Sequence, residues 1–165
     1  MKNIHYLIMA VCLLFGSCQE KPNKLYEEGI SLELAQLRKQ EIKDLKYNLR
    51  FSIPEQKQEA VEGEAQILFT IQKPQEIILD FRESADKVKE VNVNGQPSEY
   101  TFLNEHIILP EGSTIEGENE VHIRFTAGNQ SLNRNDEYLY TLLVPDRART
   151  VFPCFEQPNL KAEFT

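Results

Sequence analysis

Between Tyr47 and Phe125 the apolar residues recur at every second position, in short runs broken by turn residues. Tyr47, Leu49, Phe51 and Ile53 alternate with polar neighbours until Pro54. Ala65, Ile67, Phe69 and Ile71 repeat the pattern, as do Val121, Ile123 and Phe125. A period of two places one face of an extended strand in a core and the other in water. Glu76–Phe81 and Ile107–Leu109 are shorter and more continuously apolar, the second closed by Pro110 and Gly112. Val88, Val91 and Val93 lead into Asn94-Gly95, a dipeptide suited to the left-handed backbone of a two-residue hairpin. Tyr100 and Phe102 are expected on its return strand. Such a series predicts a mainly β fold, an antiparallel sheet or sandwich. One amphipathic helix should precede it, from Ser31 to about Lys46. Ser31 can cap it, Glu33 suits its first turn, and Leu34, Leu37, Arg38, Ile42 and Leu45 follow a 3–4 spacing.

The chain has 165 residues, enough for one domain with a real core. Its net charge of −8 argues against nucleic acid as a partner. Of its three histidines, no two are four positions apart, the spacing that puts two metal ligands on one helix face. His5 precedes the β pattern; His106 and His122 sit in strand-like runs and are expected to be structural. Residues 127–136 read as a polar, solvated loop. Asn133, Asn135, Asp136 and Glu137 offer oxygen atoms but lack the glycine and closing glutamate of a calcium loop.

The N-terminus carries Lys2, then a mostly apolar run from Ile4 to Phe15, too short to span a bilayer. Gly16-Ser17 before Cys18 resembles a bacterial lipobox. On this reading residues 1–17 are a lipoprotein signal peptide, Cys18 is the lipidation site, and residues 18–30 are a tether. The alternative is an ordinary secretory signal with an incidental cysteine. Lipidation would make the membrane a partner and the cell envelope the location. Losing Lys2 leaves 17 basic against 26 acidic side chains, a net charge of −9. It also leaves Cys154 as the sole free thiol, so no internal disulfide can form. No histidine is near it in sequence, and a buried, inert side chain is expected.

The last nineteen residues are the most specific part of the sequence. Ala148, Arg149, Phe152, Pro153, Cys154, Phe155, Gln157, Pro158, Lys161, Ala162 and Phe164 fall in register with a segment A-R-x-x-F-P-C-F-D-E/Q-P-x-x-K-A-x-F. Glu156 stands where Asp is commoner. This run resembles the aminopeptidase N-like, or gluzincin, zinc metallopeptidases, and Leu32–Arg38 resembles the opening segment of their secreted bacterial members. The resemblance implies that residues 31–165 form part of a saddle-like N-terminal β domain, incomplete at its C-terminus. Arg149, Phe152, Pro153, Cys154, Phe155, Glu156, Pro158 and Lys161 are then structural signature residues. Zinc is the parent family's cofactor, but the chain has neither H-E-x-x-H nor G-x-M-E-N, so no catalytic or metal residue is assigned and the isolated chain is expected to be inactive. Val144 stands where the family often carries a Gln or Glu that holds the substrate's free amine. Either Asp146 substitutes or amine recognition differs.

The resemblance implies a zinc aminopeptidase as parent, with peptides as substrates and the catalytic domain as the natural neighbour. The alternatives are a surface lipoprotein module that takes a peptide or partner chain at an open sheet edge, and a non-functional gene fragment. Ala162–Thr165 reads as the middle of a strand. Phe152, Phe155 and Phe164 are therefore expected to lose part of their burial, and the C-terminal tail to be the least stable region.

Overall fold

The computed structural model describes residues 23–165; the signal segment and Cys18 lie outside the described residues. A 3₁₀ turn over Lys24–Tyr26 comes first, then helix α1, Leu32–Glu41. Eleven strands follow: β1 Lys43–Ser52, β2 Glu62–Ile71, β3 Ile77–Asp80, β4 Val88–Val93, β5 Gln96–Pro97, β6 Thr101–Leu103, β7 His106–Leu109, β8 Gly117–Thr126, β9 Leu132–Arg134, β10 Leu139–Thr141 and β11 Glu163–Phe164. The large sheet runs β11-β1-β2-β8-β4-β5, a smaller one runs β3-β7-β6, and β9 and β10 form a hairpin.

The period of two becomes burial directly. Along β2, Gly63, Ala65, Ile67, Phe69 and Ile71 are buried while the residues between them are not. Val121, Ile123 and Phe125 of β8 join them on the inner face. The outer face carries a cross-strand row of alternating charge, Arg50, Glu64, Arg124 and Glu90. Opposite charges facing each other across strands suit a solvated surface.

The small sheet obeys a different rule. Every residue of β3 and β7 is buried. Ile77, Leu79, Ile107 and Leu109 face the large sheet and form the main core with it. Ile78 and Ile108 point the other way and meet Leu34 of α1. Three layers result: α1 with the 3₁₀ turn, the small sheet, and the large sheet.

Several boundaries differ from the sequence reading. The helix stops at Glu41, not near Lys46. Ser31 caps it as expected, its hydroxyl accepting from the Leu34 N–H at 3.1 Å. Ile42 is already extended, and its N–H closes the last turn on the Arg38 carbonyl at 2.9 Å. Ile42 and Leu45 do enter the core, but from the start of β1, where a bulge between Lys43 and Lys46 and a left-handed Asp44 turn the chain. Pairing with β2 satisfies backbone groups that a longer helix would have had to satisfy internally.

Asn94-Gly95 does make the hairpin turn, with φ of 52° and 76°. Its return strand is only Gln96–Pro97, because proline has no N–H to continue the ladder. Phe102 instead lies on β6, paired with β7 in the small sheet. Part of the expected polar loop is strand β9. Its Arg134 donates to the carbonyls of Pro54, Gln56, Lys57 and Glu59, tying the β1–β2 loop to the hairpin. At the C-terminus, β11 lies parallel to β1 through Lys46–Glu163 and Tyr47–Phe164. Phe164 is 61% exposed, although it stacks on Tyr47 at 4.8 Å. Phe152 and Phe155 keep full burial, at 4% and 5% exposure, contrary to the expectation that they would lose part of it. They pack between the sheets, against Tyr47, Phe51 and Phe69.

Gly63 is a packing requirement of this core. A Cβ there would fall 2.3 Å from the nearest Phe125 ring carbon. Gly63→Ala is expected to cost roughly 1–3 kcal/mol by overpacking, and each kcal/mol to lower Tm by about 2–4 °C in a domain of this size. Calorimetry that finds an unchanged Tm would count against this packing.

Candidate functional site

An acidic residue in an otherwise apolar strand starts the site. Asp80 ends β3, fully buried, on the face turned toward α1. Its register partner is His106, also fully buried. A carboxylate cannot stay ionised there without partners. Arg38 provides them, one helical turn after Leu34 on the same side of α1. Its Nη1 and Nη2 donate to the two Asp80 oxygens at 2.8 and 2.7 Å, and Nη2 also donates to the Ile78 carbonyl at 2.6 Å. The guanidinium lies 5.3 Å from the centroid of the Phe155 ring, a cation–π distance. His106 Nδ1 sits 2.9 Å from Asp80, outside the alignment of a direct hydrogen bond. Burial alone would push the Asp80 carboxyl up. The Arg38 charge and the surrounding donors outweigh burial and hold the carboxyl below the usual carboxylate range.

The signature segment docks on this carboxylate. The Glu156 N–H donates to Asp80 Oδ2 at 2.8 Å. Asp80 and Cys154 exchange backbone hydrogen bonds at 2.7 and 3.0 Å, and the Arg82 N–H donates to the Arg149 carbonyl at 2.7 Å. The Phe155 N–H donates to the Tyr47 hydroxyl at 2.9 Å. Gln157 reaches α1 through the Ala35 carbonyl.

A second ionic cluster lies beside the first. A 3₁₀ turn over Ala148–Thr150 buries Arg149. Its guanidinium grips Asp146 bidentately, at 2.9 and 2.8 Å, and also binds Glu105. The Arg149 N–H donates to Glu156 Oε2 at 2.8 Å. Burial pushes the Glu156 carboxyl up, against that hydrogen bond. Burial, then the charges of Asp80 and Glu156, push the Cys154 thiol well up. Cys154 is therefore a protonated, packed side chain rather than a nucleophile.

The signature residues thus divide. Arg149, Phe152, Pro153, Cys154, Phe155 and Glu156 come together. Pro158 and Lys161 are exposed, Lys161 beside an open charged groove of about 960 Å³. Arg38, Asp80, Glu105 and His106 belong to the site; the sequence names His106 only as a structural strand residue and Arg38 only as a helix position, and it does not mark Asp80 or Glu105. The available signal was a polar residue at each end of an apolar run, Ile77–Asp80 and His106–Leu109, and an arginine within the apolar spacing of α1. The donor set does not fit a zinc ion. Asp80 and His106 are committed to Arg38 and to the Glu27 carbonyl, and among the described residues no three His, Cys, Asp or Glu side chains are arranged to hold a metal ion.

What the region presents outward is apolar. Tyr138, Tyr140, Leu142 and Val144 alternate along β10 and its continuation, and all four are exposed. The two tyrosine rings stack at 6.0 Å. Leu139, Thr141 and Leu143 point the opposite way, over an apolar groove of about 460 Å³ beside Leu49, Phe51 and Phe152. Val144 ends the ridge, 79% exposed, just before the segment that Arg149 clamps.

Residues 43–165 match the family model described as the peptidase M1 N-terminal domain. The chain belongs to this family. Among solved structures, this domain resembles yeast LTA4 hydrolase in complex with bestatin, with 19% identity and a TM-score of 0.64 over 82% of this chain and 26% of that one. It also resembles the M1 zinc metallopeptidase from Deinococcus radiodurans, with 18% identity and a TM-score of 0.58 over 75% of this chain and 31% of that one. The matched domain therefore spans only about a quarter to a third of those proteins. A search of curated proteins finds no match.

Replacing Asp80 tests the hub. Asp80→Asn should cost roughly 3–5 kcal/mol, because Arg38 keeps a buried charge without its partner. Replacing both, Arg38→Met with Asp80→Leu, should cost less than the single change. The depressed Asp80 acidity also predicts a pH window. Its contribution is complete above the unfolded value of about 3.9 and is lost as pH falls from there through the lower folded value. Urea unfolding between neutral and acid pH should show that loss in the wild type and a shallower one in Asp80→Asn. Equal unfolding midpoints at neutral pH would refute the hub.

Proposed function

We propose that this chain is the N-terminal β domain of a zinc aminopeptidase, held at the bacterial cell envelope by lipid on Cys18. In this reading it supplies the anchor and one wall of a peptide-binding cleft, while a separate catalytic domain supplies the zinc, the metal-activated water and the peptide hydrolysis. Family membership supports the parent reaction, and the side chains described above make a packed scaffold rather than a reactive centre. The domain alone is then not catalytically competent.

The observation that carries the reading is the exposure of Val144 at the end of an apolar ridge. By the resemblance noted above, that position often carries a Gln or Glu directed at the substrate amine. In this reading Asp146 does not take over the role, since Arg149 grips both its oxygens and partly neutralises its charge. The wall therefore offers a substrate apolar contact without a charge or acceptor at Val144, and amine recognition falls to the catalytic domain.

A second reading, a module that binds a partner strand, is favoured by one observation. Beyond Leu49 the outer edge of β1 has no partner strand among the described residues, and the apolar groove runs beside it. Exposed edges accept added strands.

Two measurements test the first reading. The coding sequence past the Thr165 codon is expected to specify G-x-M-E-N and H-E-x-x-H with a downstream Glu; their absence from every frame would overturn it. The purified chain supplied with zinc should release no N-terminal residue from peptides, and measurable release would show that it is competent alone.

A further inference from the structure

Residues 23–27 fall within the stretch that reads from sequence as a tether, yet they are docked. The Asn23 side chain caps the 3₁₀ turn by accepting from the Leu25 N–H at 3.1 Å. Leu25 and Tyr26 pack on Leu34, Ile78 and Ile108. The Tyr26 hydroxyl donates to Glu76 at 2.6 Å, and that bond pushes the phenol up to about 12. The Asn104 amide donates to the Tyr26 carbonyl at 2.7 Å, and His106 Nε2 lies 2.9 Å from the Glu27 carbonyl. Lys24 pairs with Glu33 at 2.8 Å, joining the turn to the start of α1. A free polar linker makes no such set of contacts. The segment belongs to the same outer layer as α1.

We infer that this docked stem fixes which face of the domain lies against the membrane: the layer of α1 and the 3₁₀ turn faces the lipid, and the outer face of the large sheet faces away. The inference rests on the proposed lipidation of Cys18. Five peptide steps separate Cys18 from Asn23, so whatever path they take, the two Cα atoms are at most about 19 Å apart. A tether free through residue 30 would more than double that reach and let the domain turn over. The outer face of the large sheet lies beyond two further packing distances, each about 10 Å, one helix on sheet and one sheet on sheet. A net charge of −8, or −9 without Lys2, gives no general attraction to anionic lipid, and the short covalent stem supplies the orientation.

The test uses the full lipidated chain in phosphatidylcholine vesicles that carry a nitroxide on the lipid headgroup. A fluorophore is placed at Leu32→Cys, at the exposed start of α1, or at Asn48→Cys, on the outer face of the large sheet; buried Cys154 is shielded from labelling. Quenching at position 32 is expected to exceed that at position 48 at least threefold. The difference should collapse when ten Gly/Ser residues are inserted between Pro22 and Asn23. Equal quenching at both positions, in a chain whose mass shows acylated Cys18, overturns the orientation and leaves the anchor standing. A mass without the acyl groups overturns the anchor and the orientation together, while the M1 domain assignment stands.

Discussion

The Asp80 carboxylate is the interaction on which the other layers depend. It sits on a strand buried on both faces, where water cannot solvate it. Arg38 from α1, the Glu156 N–H from the signature segment and the backbone of Cys154 all converge on Asp80 or its peptide. Removing any one layer would leave the charge without part of its solvation. A buried ion pair contributes little net stability compared with apolar groups of the same size, because desolvation consumes most of the Coulomb attraction. What it imposes here is position. The helix can sit on the small sheet in one register only, and the signature segment can close only over that arrangement.

That arrangement also explains why the chemically suggestive side chains are quiet. Asp80, Glu105, Asp146 and Glu156 each receive a donor, Arg38 and Arg149 are spent on them, and Cys154 is held protonated between two carboxylates. Asp80, Arg38, Arg149 and Cys154 are buried, Asp146 is half-exposed but held by Arg149, and Tyr138, Tyr140, Leu142 and Val144 face outward. A domain built this way can position and shape a cleft. In the function proposed above, such a domain supplies one wall of the cleft and a separate catalytic domain supplies the chemistry.

The strands were legible in the sequence because alternation is local: each run carries its own record of which side is buried. β1, β2 and β8 follow that record residue by residue. Asn94-Gly95 also announced its turn, since the need for a left-handed backbone is a property of two adjacent residues. Pairing was less legible. Phe102 lies in a different sheet from the hairpin that precedes it, because Pro97 ended the return strand and β7 offered a free edge. The helix was read too long because Ile42 and Leu45 fit a helical spacing as well as they fit the entry to β1. Arg38 was read as one more point on the helix, although its partner Asp80 lies 42 positions away.

The sequence alone was enough to establish that this chain makes short antiparallel strands behind one helix and that its C-terminal segment carries the mark of the M1 peptidases. These follow from neighbours in the chain and from spacing. It took the folded structure to show which charges are buried and paired, that Asp146 is held by Arg149 while Val144 is exposed, and that residues 23–27 are docked on the domain. Those outcomes depend on groups tens of positions apart meeting in a medium that cannot solvate an unpaired charge. Such a requirement is met by the folded arrangement as a whole, and no local pattern records it.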